Sequence, residues 1–149
     1  MPILQVGTVV AVLAGMLVLS VAFAADIGWM QTNIVRTSTA DGSTSTCRAD
    51  FTNGDRADVS SVCKYGPLDI VGWATWTCEC EYVFKDGSRF FLIFKGHNEP
   101  NGRVSNASAT FSGGTGRFNS MAGSALGVGY AGKMQWNGAY SADADKQAR

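Results

Sequence analysis

Glu79 and Glu81 lie two residues apart in the run Trp76-Thr77-Cys78-Glu79-Cys80-Glu81-Tyr82. On an extended strand both carboxylates therefore project from one face. A carboxylate against apolar walls has its pKa raised by desolvation, and a second one nearby raises it further. That combination poises a general acid or base near neutral pH. The competing reading is a solvated strip at a barrel mouth, or salt bridges to Arg36, Arg48 or Lys95. Trp73, Trp76 and Trp136 supply either an aromatic floor for a flat or apolar ligand or ordinary core packing. Tyr82, Tyr130 and Tyr140 add hydroxyl donors for such a pocket, or for strand ends. His97, followed by Asn98-Glu99, is either a proton shuttle or an exposed loop residue. No serine or cysteine sits in a nucleophile-elbow motif, so a hydrolytic triad has no support. Gly113-Gly114-Thr115-Gly116 lacks the Lys-Ser/Thr and the helix of a phosphate loop.

The elements that position these residues read as strands. No window keeps an apolar stripe at helical spacing, and strand-length runs alternate with turn signals, the pattern of a sandwich or barrel. Asn53-Gly54 separates runs at 47–51 and 57–63, and Asp86-Gly87 separates runs at 75–84 and 89–94. Both dipeptides suit two-residue hairpin turns. Further strands are expected over 104–111, 123–130 and 133–140. With Asp86-Gly87 in a two-residue turn, Val83 faces Phe90, Glu81 faces Leu92 and Glu79 faces Phe94. One face then carries Trp73, Glu79, Glu81, Phe90, Leu92 and Phe94, and the other Trp76, Cys78, Cys80, Tyr82, Phe84, Phe91 and Ile93. Both faces are too apolar to be left in water. One is expected to line the interior, and the other to be covered by bridged strands, the N-terminal segment or a neighbouring subunit.

Residues 3–23 are almost wholly apolar and end in Ala22-Phe23-Ala24, a small-x-small cleavage pattern. The expectation is a signal peptide over 1–24, or a retained anchor, since about 20 apolar residues also span a bilayer. The remainder, a barrel domain over 25–141 with a polar tail over 142–149, is placed in an exported, periplasmic or secreted compartment. It carries all 12 basic and all 12 acidic residues. A neutral domain without a basic face is not expected to bind nucleic acid. Cys47, Cys63, Cys78 and Cys80 make an even set, which suggests two disulfides in an oxidising compartment. A Cys78–Cys80 bridge would be strained, so each is expected to reach another strand, toward Cys47 and Cys63. The C-x-C spacing and single histidine fit structural zinc poorly. No metal or cofactor is expected.

The glycine density from Gly113 to Gly132 points to tight, curved β-structure with close backbone approaches. Within it, Gly113-Gly114-Thr115-Gly116-Arg117-Phe118, with Gly123 nearby, resembles the G-G-T-G-[RK]-F signature of dirigent proteins and the allene oxide cyclase-like barrels. The resemblance covers about Thr77 to Tyr140, and Asn119-Ser120 stand where that family carries small residues. It implies an all-β fold, a small calycin-like antiparallel barrel of about eight strands, in which the motif joins two strands. It also implies a homo-oligomer. The functional expectation is a non-enzymatic barrel binding a small apolar or aromatic molecule through Trp73, Phe90, Leu92, Phe94, Trp136 and Tyr130. The alternatives are a cyclase or guide protein orienting a reactive intermediate, with Glu79 and Glu81 as its acid–base pair, and a structural subunit whose lumen is filled.

Overall fold

Alternation of inward apolar and outward polar residues runs along β1 (Ala25–Ser38), β2 (Gly42–Phe51), β3 (Arg56–Leu68), β4 (Ala74–Phe84), β5 (Arg89–Asn98), β6 (Val104–Thr115), β7 (Ala122–Tyr130) and β8 (Lys133–Ser141). In the computed structural model, which describes residues 25–142, these strands close in chain order into one antiparallel barrel. β8 returns to pair with β1 from Ala25↔Tyr140 to Gln31↔Met134, so the described strands leave no sheet edge open. The signal segment expected over 1–24 and residues 143–149 of the expected tail lie outside the described residues. β1, which the sequence reading did not assign, completes the ring.

Both glycine turns close differently from the two-residue form. Phe84 N–H donates to Ser88 O and Gly87 N–H to Phe84 O, each at 3.0 Å, leaving Lys85-Asp86-Gly87 as a three-residue loop. Phe51, Asp55 and Gly54 repeat the arrangement around Thr52-Asn53-Gly54. Gly87 and Gly54 take φ of 81° and 89°, the left-handed position that such a loop needs at its end. The extra residue moves the β4–β5 register by one, giving Tyr82↔Phe90, Cys80↔Leu92 and Cys78↔Phe94. A one-residue slip turns a strand's side chains to its other face. Cys78, Cys80, Tyr82 and Phe84 thus join Phe90, Leu92 and Phe94 inside, while Glu79, Glu81, Phe91 and Ile93 stand outside. This corrects the expected face assignment. The observed register gathers the aromatic side chains of both strands in one core and leaves both carboxylates hydrated.

A second irregularity lies in β1. Its pairing with β2 shifts between Thr32 and Val35, where Asn33 takes φ 55°. Strict alternation from the inward Trp29 and Gln31 would bring Asn33 and Val35 inside. The bulge instead brings in Ile34 and Arg36, and Val35 is left 68% exposed on the outer surface. Bulges re-aim side chains in this way.

The core occupies one half of the barrel. Trp29, Phe51, Tyr82, Phe90, Phe118 and Trp136 form a continuous aromatic stack, with Trp29–Trp136 centroids 5.7 Å apart and nearly parallel, and Tyr82–Phe90 at 4.4 Å. The glycine motif closes that end. Gly116, at φ 60°, packs against Ser88, and Phe118 turns inward against Phe84 at 4.8 Å. The Arg117 guanidinium lies over the Phe84 and Phe118 rings at 4.7 and 4.8 Å, and its Nη1 reaches Asp55 Oδ2 at 2.8 Å.

Candidate functional site

The opposite half of the lumen is open. A cavity of about 590 Å³ runs from the buried Gln31 to the loop end of the barrel. Cross-strand rows build its wall: Arg36–Ser45–Ser61–Cys80 across β1 to β4, and Ser43–Cys63–Cys78–Phe94 across β2 to β5. The Ser45 and Ser61 hydroxyls share a hydrogen bond of 2.6 Å.

The floor is a buried polar chain on top of the aromatic stack. Trp136 Nε1 donates to Gln31 Oε1 at 3.0 Å, Gln31 Nε2 donates to Tyr82 Oη at 2.9 Å, and Trp29 Nε1 donates to the same phenol at 3.2 Å. An indole N–H can only donate, so Trp136 sets the Gln31 amide with its oxygen toward the indole and its nitrogen toward Tyr82. Burial raises the Tyr82 phenol well above its ordinary range, with Cys80 adding to the effect. Along one side, Trp76 Nε1 and Ser105 Oγ both donate to Asn98 Oδ1, at 2.9 and 2.7 Å. Trp76 meets Phe94 edge-on at 5.1 Å. Gly96 leaves the space that the Trp76 indole occupies, because a Cβ there would overlap its ring. Arg36, Tyr65, Arg103, Tyr130 and Lys133 surround the mouth. Hydrogen bonds with Ser38 and Ser43, then the field of Arg36, hold the Tyr65 phenol below its ordinary range.

Of the residues singled out from the sequence, Trp76, Phe94 and Tyr130 line this cavity, as do the four cysteines. Phe90 and Leu92 are fully buried in the filled half, and Trp136 lies beneath the floor, which it reaches through Gln31. Trp73 lies on the β3–β4 loop, edge-on to His97 at 4.8 Å, while His97 Nδ1 approaches Asp69 Oδ2 at 3.6 Å. Glu79 and Glu81 are outside, and Glu81 Oε1 accepts from Arg89 Nη1 at 2.7 Å. They border an open groove on the outer surface beside Val62, Phe91 and Ile93, not the lumen. Arg36, Ser45, Ser61 and Asn98 carry the polar character of the cavity and were not among the expected ligand residues. A bulge and two strand registers bring them together, and no local motif announces either.

One disulfide, Cys63–Cys78, joins directly opposite residues of β3 and β4, and Cys47 and Cys80 are thiols. This corrects the expectation of two bridges. Cys47 pairs with Val59 and Cys80 with Ser61, so β3 stands between them. Two strand spacings amount to about 9–10 Å, beyond the Cα separation that a disulfide tolerates. Burial pushes the Cys47 thiol from 9.0 up to about 11 and the Cys80 thiol up to about 12. Both stay protonated at neutral pH and are poor nucleophiles. Folded values above the unfolded value give stability that is complete below pH 9 and lost as pH rises through 11 and 12. Urea midpoints are therefore expected to hold level from pH 7 to 9 and then fall, at a limiting slope of about 1.4 kcal/mol per pH unit for each thiol. Cys80→Ala should flatten that fall, and an unchanged alkaline slope in the variant would contradict the assignment. No protein-family model and no curated protein sequence matches this chain.

Proposed function

We propose that the barrel binds a small molecule with an apolar or aromatic body in the open half of its lumen. The observation that carries this reading is the asymmetry of the interior. An eight-stranded barrel is just wide enough to be filled by side chains or to hold one small ligand. Here one half is packed with aromatic rings and the other is left as a cavity of about 590 Å³ walled by Trp76, Phe94 and Met134. That volume falls in the range of small-molecule sites. The apolar segment over 3–23 and the Cys63–Cys78 bridge support work in an exported, oxidising compartment. The likeness of the Gly113–Phe118 motif to dirigent-type barrels supports a lumen site.

The test is titration with the neutral fluorophore N-phenyl-1-naphthylamine. Saturable binding of one probe per barrel is expected. Ser61→Phe and Ser45→Phe place a ring in the cavity and should weaken affinity at least about tenfold, with near-ultraviolet circular dichroism retained. Glu79→Gln with Glu81→Gln should leave affinity unchanged. Binding that survives both phenylalanine variants, or that is lost in the glutamine pair, would sink the reading.

A further inference from the structure

Above its polar floor at Gln31, the cavity carries charge of one sign among its described lining residues. Arg36, Arg103 and Lys133 face the mouth, and no aspartate or glutamate is among its described lining residues. None of the three cations has a carboxylate within 4.0 Å among the described residues. The loop carboxylates at this end are directed elsewhere: Asp69 Oδ1 accepts the Val71 and Trp73 amides, and Asp41 and Glu99 do not line the cavity. At the end of β5, Asn98 Oδ1 is taken by two donors, which leaves its amide nitrogen as the donor at the wall. Gln31 Oε1 is likewise taken by Trp136. The described lining thus holds three cations and no anion, with hydroxyls that can either donate or accept.

The bulge at Asn33 gives this arrangement its weight. Burial alone would favour the reverse placement, Val35 inside and Arg36 in water. β1 instead holds a non-glycine residue at φ 55°, and the result is an arginine on the lumen wall beside Ser45. Asparagine visits this left-handed conformation more readily than other side-chain-bearing residues, so position 33 suits the bulge that re-aims the strand.

We propose that the cavity selects an amphiphilic carboxylate, with its apolar or aromatic body against Trp76 and Phe94 and its carboxylate at Arg36, flanked by Arg103 and Lys133. This rests on the lumen-binding reading above and adds the chemical class of the ligand. Charge-assisted hydrogen bonds to a guanidinium are about twice as strong as neutral ones, and a partly enclosed mouth screens them less than open surface does.

The experiment is displacement of bound N-phenyl-1-naphthylamine at pH 7 by 2-naphthoate and by its neutral counterpart 2-naphthalenemethanol. In the wild-type protein the carboxylate should displace the probe at least about tenfold more tightly than the alcohol. In Arg36→Gln, an exposed position without a salt bridge among the described residues, the preference should fall to within about twofold, each displacement being scaled to the variant's own probe affinity. Equal displacement by both compounds in the wild type overturns the anion preference and leaves lumen binding standing. A preference that persists in the Arg36→Gln, Arg103→Gln, Lys133→Gln triple variant overturns it as well. A probe that never binds overturns both readings.

Discussion

Replacing Trp136 with alanine is expected to cost about 3–5 kcal/mol of folding stability, the range for emptying a buried aromatic site. Trp136 is completely buried, stacks on Trp29 at 5.7 Å and leans on Phe94 at 5.1 Å. Its ring covers Gly127, where an added Cβ would meet the indole at 2.7 Å, and that glycine has no side chain to fill the void. The variant also strips Gln31 Oε1 of its donor. A buried acceptor left unpaired adds about 1–3 kcal/mol when water cannot reach it. Here the void opens into the ligand cavity, since Gln31 lines both, and water entering from there offsets part of that loss. Against a typical domain stability of about 5–15 kcal/mol, the protein should lose from about a fifth of its stability to all of it. Urea denaturation of Trp136→Ala beside Trp136→Phe measures this, with the phenylalanine variant retaining more than half of the lost stability. A loss below about 1 kcal/mol for alanine would mean that the stack is not packed as described.

Removing the disulfide with Cys63→Ala and Cys78→Ala should cost about 3 kcal/mol through the loop-closure entropy of the unfolded chain. The two cysteines are separated by 15 residues, and the bridge closes the chain across the β3–β4 connection. That connection buries little of its own: Leu68, Ile70 and Val71 are 66%, 102% and 67% exposed. It relies on strand pairing and on the bridge to hold its ends. Wild-type protein in excess dithiothreitol should show the same drop in urea midpoint as the alanine pair. Thiol counting by a chromogenic disulfide reagent provides the second readout. Two thiols should react in denaturant and neither promptly in the folded protein, because Cys80 is buried and both thiols are held protonated. Four reactive thiols, or none, would contradict the assignment of Cys63–Cys78 as the one bridge among the described cysteines.

The all-β class, the turns at Asn53-Gly54 and Asp86-Gly87 and the close-packed glycine stretch were legible because they are local. Positive φ, strand length and two-residue alternation depend on the residue types at hand. Inward or outward facing was not legible, because it hangs on a single residue of register. Asn-Gly and Asp-Gly serve two-residue and three-residue loops alike, and only the burial of Tyr82 and Phe84 with Phe90 decides between them. That choice put Glu79 and Glu81 on the outer face, away from the lumen where the sequence reading placed them. The candidate site was less legible still. Arg36 enters the lumen through a bulge at Asn33, and Ser45, Ser61 and Cys80 meet it only because three separate strand pairings align. By itself, then, the sequence determined that this chain makes curved antiparallel strands with turns at stated places. The closed barrel decided which half is filled, which cysteines can meet and which cations face the cavity, because those depend on pairings between residues far apart in the chain.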